Sequence, residues 1–241
     1  MRYCLQVAYD GTNFSGWQIQ KVGRTVQEEI EKAISQIAKT PIKIVGSGRT
    51  DAGVHAMRQY AHFDFPIKMT VEQIKFAIQT KLPRDVKTLK VILKNDDFHA
   101  RFDATLRTYK YFITKNRNPF NRYYSSYFPK MNINKTKINS CLPYFLGEHD
   151  FSSFAKFNPD VKNYVCKIEA FTFEEFDDNF VFTISANRFL HNMVRRIVGT
   201  VINITNSTEK VSIIEEFFKI KNHKLVTTAS TQGLYLFDVK Y

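Results

Sequence analysis

The chain has 241 residues, of which 44% are hydrophobic, enough for one large domain or two small ones with a buried core. Its 35 Lys and Arg residues outnumber its 23 Asp and Glu residues, and the formal net charge of +12 favours a polyanionic partner such as nucleic acid. The absence of an apolar run of about eighteen residues excludes a membrane-spanning helix. The three isolated cysteines have no CxxC spacing, which argues against a zinc site and favours a reducing, cytoplasmic compartment.

Strands and helices are predicted to alternate in the first part of the chain. Residues 2–9 are rich in β formers and predict a strand, and further strands are predicted at residues 59–65 and 86–93. Apolar residues at helical spacing predict one helix that ends near residue 40 and another that ends before Pro83. Each predicted helix begins at a capping box, Thr25 with Glu28 and Thr70 with Gln73.

The second part of the chain predicts a strand at residues 106–114, a hairpin from strands at 164–174 and 179–186, and a final strand at 234–241. Helices are predicted at residues 135–146, 190–204 and 211–220. Pro143 lies inside the first of these helices, and Gly147 is expected to cap its end.

The order of these elements predicts the fold class. Strands and helices mix without a strict β-α-β rhythm, and hairpins occur, which is typical of an α+β protein. We expect two related subdomains, residues 1–104 and 105–241, sharing a mostly antiparallel central sheet flanked by helices. A continuous sheet is plausible because no low-complexity linker separates the two halves.

The segment GSGRTDAGVH, residues 46–55, places Arg49 and Asp51 among three glycines. Such a loop is either a structural turn or a reactive site that another molecule approaches closely. It lacks the third glycine of a dinucleotide fingerprint and the Gly-Lys-Ser/Thr ending of a Walker loop. The chain also lacks HExxH spacing and GxSxG, so the loop alone leaves both interpretations open.

Basic and aromatic residues interleave at residues 107–112 and 117–124. Bases stack on aromatic faces while Arg and Lys bind phosphates, so this pattern favours RNA or single-stranded nucleic acid as a partner. Many of the 22 Phe residues must nevertheless belong to the core.

Ordered motifs along nearly the whole chain resemble the tRNA pseudouridine synthase A family. The similar segments are YDGTNFSGWQ at 9–18, GRTDAGVHA at 48–56, HARFDA at 99–104, RTYKY at 107–111, GEHDF at 147–151, MVRRIVG at 193–199 and GLYL at 233–236. The resemblance implies the pseudouridine synthase fold and conversion of uridine to pseudouridine at positions 38–40 of the tRNA anticodon stem-loop. It also implies that the enzyme needs no cofactor and binds tRNA as a homodimer.

The same resemblance assigns the site residues. It implies that Asp51 is the nucleophile or base and that Tyr109, in the RTYKY segment, stacks on the target base. Burial disfavours a charged carboxylate and a neighbouring guanidinium favours it, so a buried reactive Asp requires a cation. The helical pattern leaves Arg195 and Arg196 equivalent, and the match to Met-Val-Arg selects Arg195.

Other residues are expected to bind the substrate. Arg49 is the candidate that fills the gap of a flipped base or holds the RNA backbone, Leu234 is a candidate pocket wall, and His55 lies at the end of the same loop. Each has a plain structural alternative: an ion pair that pins the loop for Arg49, and core burial for Leu234. By pattern alone, core packing also explains Tyr109, because it shares a strand face with Tyr111.

The sequence departs from the family pattern at Asn192, where His or Arg is usual, at Ser230-Thr231-Gln232, where a proline-containing segment is usual, and at Pro143. Three other functions compete with the synthase. They are the same chemistry on another structured RNA, a catalytically silent RNA-binding protein, and an RNA-cleaving enzyme that uses His55 and Arg49.

Overall fold

The computed structural model describes residues 1–129, 133–220 and 224–241. The chain forms two compact units, one built from Met1–Thr105 with Tyr235–Tyr241 and the other from Leu106–Leu234. This division differs from the one expected from the sequence in its last segment. Tyr235–Tyr241 groups with the first unit because Tyr235 and Leu236 pair in parallel with His55 and Ala56.

The first unit is a sheet covered by two helices. Its strands have the order β4-β1-β3-β9, with the short β2 also paired to β3, and every pair is antiparallel except β3 with β9. The helices α1 and α2 contact each other, and their buried Ile30, Ile34, Ile74 and Ile78 belong to the core. The elements are β1 Arg2–Tyr9, α1 Val26–Ala38, β2 Val45–Gly46, β3 His55–Asp64, α2 Val71–Lys81, β4 Val86–Lys94 and β9 Leu234–Lys240.

The second unit is an antiparallel sheet of order β5-β8-β7-β6, with helices packed on it. Its core is rich in aromatic rings: Phe145 contacts Phe154 edge-on at 5.3 Å between ring centroids, and Phe171 at 5.9 Å. Aromatic residues therefore fill this core, as expected from their number. The elements are β5 Leu106–Thr114, α3 Lys135–Cys141, β6 Gly147–Asp150, β7 Val165–Glu175, β8 Asn179–Ala186, α4 Met193–Thr205 and α5 Ile214–Lys219.

The predicted fold class, α+β with a mostly antiparallel sheet flanked by helices, is confirmed. Most predicted elements lie within a few residues of the observed ones, and the strands at residues 2–9 and 106–114 have the predicted bounds. In the part of the chain that is described, no helix is long and apolar enough to cross a membrane.

Three predicted helices are shorter than expected, and the one expected at residues 211–220 spans Ile214–Lys219. The helix expected at residues 135–146 ends at Cys141, and a 3-10 turn over Leu142–Phe145 follows it. Pro143 causes this change because it has no N–H to donate and fits only the first turn of a helix. The helix expected from residue 190 begins at Met193, because Asn192 has the left-handed φ of 65° and interrupts the helical backbone before it.

Only one of the two predicted capping boxes forms. Thr70 and Gln73 exchange both hydrogen bonds, as predicted. Thr25 occupies the N-cap position of α1 but its side chain makes no capping hydrogen bond, and the Glu28 carboxylate pairs with Lys32 at 2.9 Å. Thr25 Oγ1 is buried without a hydrogen-bond partner among the described residues.

Candidate active site

The loop at residues 46–55 is braced on both sides within the first unit. Before Asp51, the Thr50 hydroxyl lies 2.8 Å from the buried Tyr9 hydroxyl, and the Trp17 N–H donates to the Thr50 carbonyl at 3.1 Å. After Asp51, the Gly53 N–H donates to the Phe14 carbonyl at 3.2 Å. Burial raises the pKa of Tyr9, so its hydroxyl keeps its proton for this contact.

A second set of bonds holds the start of the loop against β3. The Ser47 hydroxyl donates to Gln59 Oε1 at 2.6 Å, and Gln59 Nε2 donates to the Gly48 carbonyl at 3.0 Å. The Ser47 N–H donates to the Tyr60 carbonyl at 2.7 Å. With Ser47, Thr50 and Val54 buried, the loop backbone is fixed at three points.

The hydrogen bonds that hold the loop backbone determine which of its side chains are exposed. Between the buried Ser47 and Thr50, the Arg49 side chain is exposed, and Asp51 is half-buried between Thr50 and Val54. A guanidinium and a carboxylate therefore project from a backbone that its neighbours hold in place. Such preorganisation is what catalytic side chains require.

The three glycines of the loop differ in their surroundings or in their backbone conformation. A Cβ on Gly46 would lie 2.6 Å from Trp17 Nε1, so the indole occupies that space. Gly53 has φ of 75°, which disfavours other residues. A Cβ on Gly48 would meet nothing within 4 Å in the described parts of the chain, so open space lies beside the loop at Gly48.

His55 lies beneath the loop rather than at its surface. Its side chain is 2% exposed, and its ring stacks on Tyr235 with centroids 4.6 Å apart. The Gly11 N–H donates to His55 Nδ1 at 3.0 Å, and Asp10 Oδ1 lies 3.2 Å from the same nitrogen. His55 thus connects the 9–18 segment to the loop and presents no surface to an RNA.

In the second unit, Tyr109 lies on β5 opposite Ile184 of β8. Its side chain is buried, and its ring meets Phe189 edge-on with centroids 5.1 Å apart. Tyr111 shares the inward face of β5, as the strand pattern predicts, and is fully buried. The strand therefore carries one tyrosine against Phe189 and another deeper in the unit.

The Tyr111 hydroxyl is the centre of a buried hydrogen-bond network. It lies 2.7 Å from Ser126 Oγ and donates to the Ser230 carbonyl at 3.0 Å, and the two serine hydroxyls lie 2.7 Å apart. Burial raises the pKa of Tyr111, although the hydrogen bonds from the two serines and the nearby charge of Arg195 lower it in part. The network joins β5 to the segment that precedes β9.

The two arginines of α4 have different surroundings. Arg195 Nε donates to the Ala229 carbonyl at 2.8 Å, and Arg195 Nη1 donates to Asn192 Oδ1 at 3.1 Å. Arg196 Nη1 instead donates to the Ala155 carbonyl at 2.6 Å, and burial lowers the pKa of Arg196. The structure thus separates two residues that the helical pattern could not distinguish.

Ala229 is held from both ends, which fixes the Arg195 side chain. Its N–H donates to the Arg195 carbonyl at 3.0 Å, while its own carbonyl accepts from Arg195 Nε. The next residue, Ser230, belongs to the network around Tyr111. Leu234 follows, buried to 5% exposure, with its N–H donating to the Thr231 carbonyl at 2.9 Å.

The residues that support the site were not predicted from the sequence to be functional. Asn192 and Ser230 stood out as departures from the family pattern, and both hold the surroundings of Arg195. An Asn near the start of a predicted helix is a detectable signal, because Asn tolerates the left-handed conformation found there. Tyr9, Gln59 and Ser126 gave no such signal, since polar side chains in strands and loops are common.

Together these features define a class of protein: a basic α+β enzyme that presents a carboxylate and a guanidinium from a braced loop. In the described residues no three His, Cys, Asp or Glu side chains are grouped so as to hold a metal ion.

Comparison with known proteins identifies the family. The profile of the tRNA pseudouridine synthase family matches residues 6–103 and 142–241. The protein named tRNA pseudouridine synthase A from Limosilactobacillus reuteri is 40% identical over 248 residues, covering 100% of this chain and 96% of that protein. Its namesake from Bacteroides fragilis is 40% identical over 243 residues, with the same coverage.

The chain belongs to the tRNA pseudouridine synthase family, and it is an RNA-binding isomerase of tRNA processing. The resemblance noted from its motifs is confirmed. Among solved structures, a chain of an H/ACA ribonucleoprotein bound to a substrate RNA matches with a TM-score of 0.40 and 9% identity, over 82% of this chain and 41% of that chain.

Proposed function

We propose that this enzyme converts uridine to pseudouridine at positions 38–40 of the tRNA anticodon stem-loop, with Asp51 as the reactive group. The reaction breaks the C1′–N1 bond, rotates uracil and forms a C1′–C5 bond. The hydrogen on C5 leaves as a proton, and N1 takes up a proton. The observation that supports the proposal best is the braced loop. It presents Asp51 and Arg49 from a backbone held at Ser47, Thr50 and Val54.

The proposed roles of the other residues follow the family motifs. Tyr109 stacks on the target base, Arg195 is the cation that keeps Asp51 ionised, and Arg49 holds the RNA backbone at the flipped nucleotide. The contacts of Arg195 with Ala229 and Asn192 support its role, because a guanidinium that is already held loses little freedom when it acts.

Leu234 and His55 are the two remaining residues of the proposed substrate site. Leu234 is buried and is proposed as an apolar wall of the substrate pocket. His55 is proposed to act through the loop it supports, because its buried ring stacks on Tyr235. This placement also disfavours RNA cleavage by His55 and Arg49, which requires a histidine within reach of the RNA.

The protein is further proposed to bind tRNA as a cytoplasmic homodimer without a cofactor. The net charge of +12 supports phosphate binding by a large surface. Sedimentation of the purified protein with and without tRNA measures the oligomeric state directly, and a single monomer in both conditions would exclude the dimer.

The function is tested by release of tritium from tRNA labelled at C5 of uridine. Wild-type protein is expected to release tritium, Asp51→Asn and Asp51→Ala are expected to release none, and Asp64→Asn is the matched control on an exposed carboxylate that pairs with Arg2. Replacing uridines 38, 39 and 40 one at a time then identifies the target positions.

Each competing function predicts a different result. Tight tRNA binding without release from any RNA would indicate a silent binding protein, and shortened RNA would indicate cleavage. Tritium release only from an RNA other than tRNA would show that this other RNA is the substrate. Release that persists in Asp51→Ala would exclude Asp51 as the reactive group.

A further inference from the structure

An exposed turn in the second unit, residues 117–124, carries aromatic rings that the core does not use. Phe120 is 83% exposed, and Tyr123 and Tyr124 are each 45% exposed. Other Phe residues of this unit, such as Phe145 and Phe154, are fully buried. A cluster of exposed large rings within one short turn is typical of an interaction surface.

Hydrogen bonds preorganise this aromatic turn. Asn118 Oδ1 accepts from the Phe120 N–H at 2.9 Å, and the Asn121 carbonyl accepts from the Tyr124 N–H at 2.9 Å and the Ser125 N–H at 3.0 Å. The turn is anchored to β5 where the Ser126 N–H donates to the Phe112 carbonyl at 2.9 Å. Phe120 is therefore displayed from a defined backbone, which lowers the entropy cost of binding through it.

The charge of the aromatic turn is entirely positive. Arg117 and Arg122 are exposed, and residues 117–129 contain no Asp or Glu. The Arg122 guanidinium lies 4.2 Å from the centroid of the Tyr123 ring and donates to the Pro119 carbonyl at 2.5 Å. The neighbouring carboxylate of Glu175 is already paired with Lys115 at 2.8 Å, which reduces its repulsion of an anion.

We propose that the aromatic turn is an RNA-binding surface, in which Phe120 stacks on an unpaired base of the tRNA and Arg117 and Arg122 bind the flanking phosphates. The proposal rests on the function above, since it takes tRNA as the ligand. Stacking on an aromatic face tolerates every base, whereas the arginines require a polyanion. Both requirements are met by a single-stranded segment of RNA.

A second copy of the chain fits the turn less well. A two-fold contact through the same surface would bring the arginines of both copies close together, where like charges repel. The turn carries arginines and no acidic residue, so its positive charge complements RNA better than it complements another copy of this basic chain.

The test compares Phe120→Ala with Phe120→Trp and with Phe76→Ala. Phe76 is 72% exposed on α2 and provides a matched control for loss of an exposed ring. Binding of full-length tRNA is measured by filter retention, and kcat and KM by tritium release. Thermal unfolding confirms that each variant folds.

We expect Phe120→Ala to raise the Kd and KM for tRNA about tenfold, because one stacked base is lost, while kcat at saturating tRNA is unchanged. Phe120→Trp is expected to restore binding, and Phe76→Ala to behave as wild type. Arg122→Gln is expected to flatten the slope of log K against log salt by roughly 0.7 to 0.9.

Equal Kd values for wild type and Phe120→Ala would overturn the proposal, as would the same loss in Phe76→Ala. A sedimentation coefficient that falls to that of a monomer in Phe120→Ala without RNA would assign the turn to a second copy instead. Failure of the proposed function would give a different result, because wild-type protein would then release no tritium. The Kd values of wild type and Phe120→Ala for tRNA could still be compared in that case.

Discussion

The hydroxyl of Ser230 lies 2.7 Å from the hydroxyl of Ser126, and the Tyr111 hydroxyl reaches both side chains. This buried contact ties the segment before β9 to the interior of the second unit. Because Ala229 directly precedes Ser230 and binds Arg195 through both of its backbone groups, the network also limits where the Arg195 side chain can go.

Removing the centre of this network is expected to cost both stability and activity. Tyr111→Phe leaves the Ser126 and Ser230 hydroxyls with one partner fewer, and we expect a loss of about 1 to 2 kcal/mol in the free energy of unfolding. We also expect kcat to fall severalfold because Ala229 is less well held. Urea denaturation and tritium release measure the two effects.

Tyr241→Phe is the control for this prediction, since its hydroxyl donates to the Ala100 carbonyl at 2.9 Å in the first unit. A similar loss of stability without loss of kcat is expected there. If Tyr111→Phe behaved in the same way, the network would be structural only.

The two glycines at the start of the loop should respond differently to a methyl group. Gly46→Ala places a Cβ 2.6 Å from Trp17 Nε1, and we expect destabilisation by about 1 to 3 kcal/mol. Gly48→Ala meets nothing within 4 Å in the described residues, so its stability should change by less than about 0.5 kcal/mol.

Activity then indicates whether RNA approaches Gly48. We expect Gly48→Ala to raise the KM for tRNA, because the proposed function brings the RNA backbone to this open side of the loop. Chemical denaturation and steady-state kinetics on the same two variants provide the measurement. A Gly48→Ala enzyme with wild-type KM would show that RNA does not come close there.

Substitutions of the two arginines of α4 should differ in their effect on kcat. Arg195→Gln is expected to lower kcat about a hundredfold, the size of effect seen when a preorganised electrostatic group is removed. Arg196→Gln should leave kcat within about threefold of wild type, because Arg196 bonds to the Ala155 carbonyl. Single-turnover tritium release measures the chemical step, and a larger kcat loss in Arg196→Gln would reverse the assignment.

The three thiols should be unreactive in the folded protein. Burial raises the pKa of Cys4 to about 12 and that of Cys141 and Cys166 to about 11, from an ordinary value of 9.0. We expect Ellman's reagent to label none of them at pH 8 in the native state and all of them in guanidinium chloride. Rapid labelling of a native thiol would show that its surroundings open.

The same shifts predict the direction of the alkaline pH dependence. A thiol whose pKa is higher in the folded state stabilises the fold fully below pH 9, and this contribution is lost as pH rises towards 11 or 12. The free energy of unfolding should therefore fall across that window. Cys4→Ala should make the decline shallower, which urea titrations at several pH values would detect.

The local patterns predicted much of the fold. The strand at Leu106–Thr114 has the bounds expected from its alternation, and the capping box of Thr70 and Gln73 forms as expected. Both depend on neighbours within a few residues. At Thr25 the carboxylate half of the box is lost because Glu28 pairs with Lys32, and a pattern alone does not show which of two possible partners a side chain takes.

The sequence by itself determined the family, the α+β class and the segment that carries Asp51, because ordered motifs and hydrophobic periodicity are properties of the chain. Only the tertiary structure decided which side chains support those motifs. It distinguished Arg195 from Arg196 by their carbonyl partners, 34 and 41 residues away in sequence, and it placed His55 beneath the loop. These outcomes depend on hydrogen bonds and burial between residues distant in sequence, which no local pattern encodes.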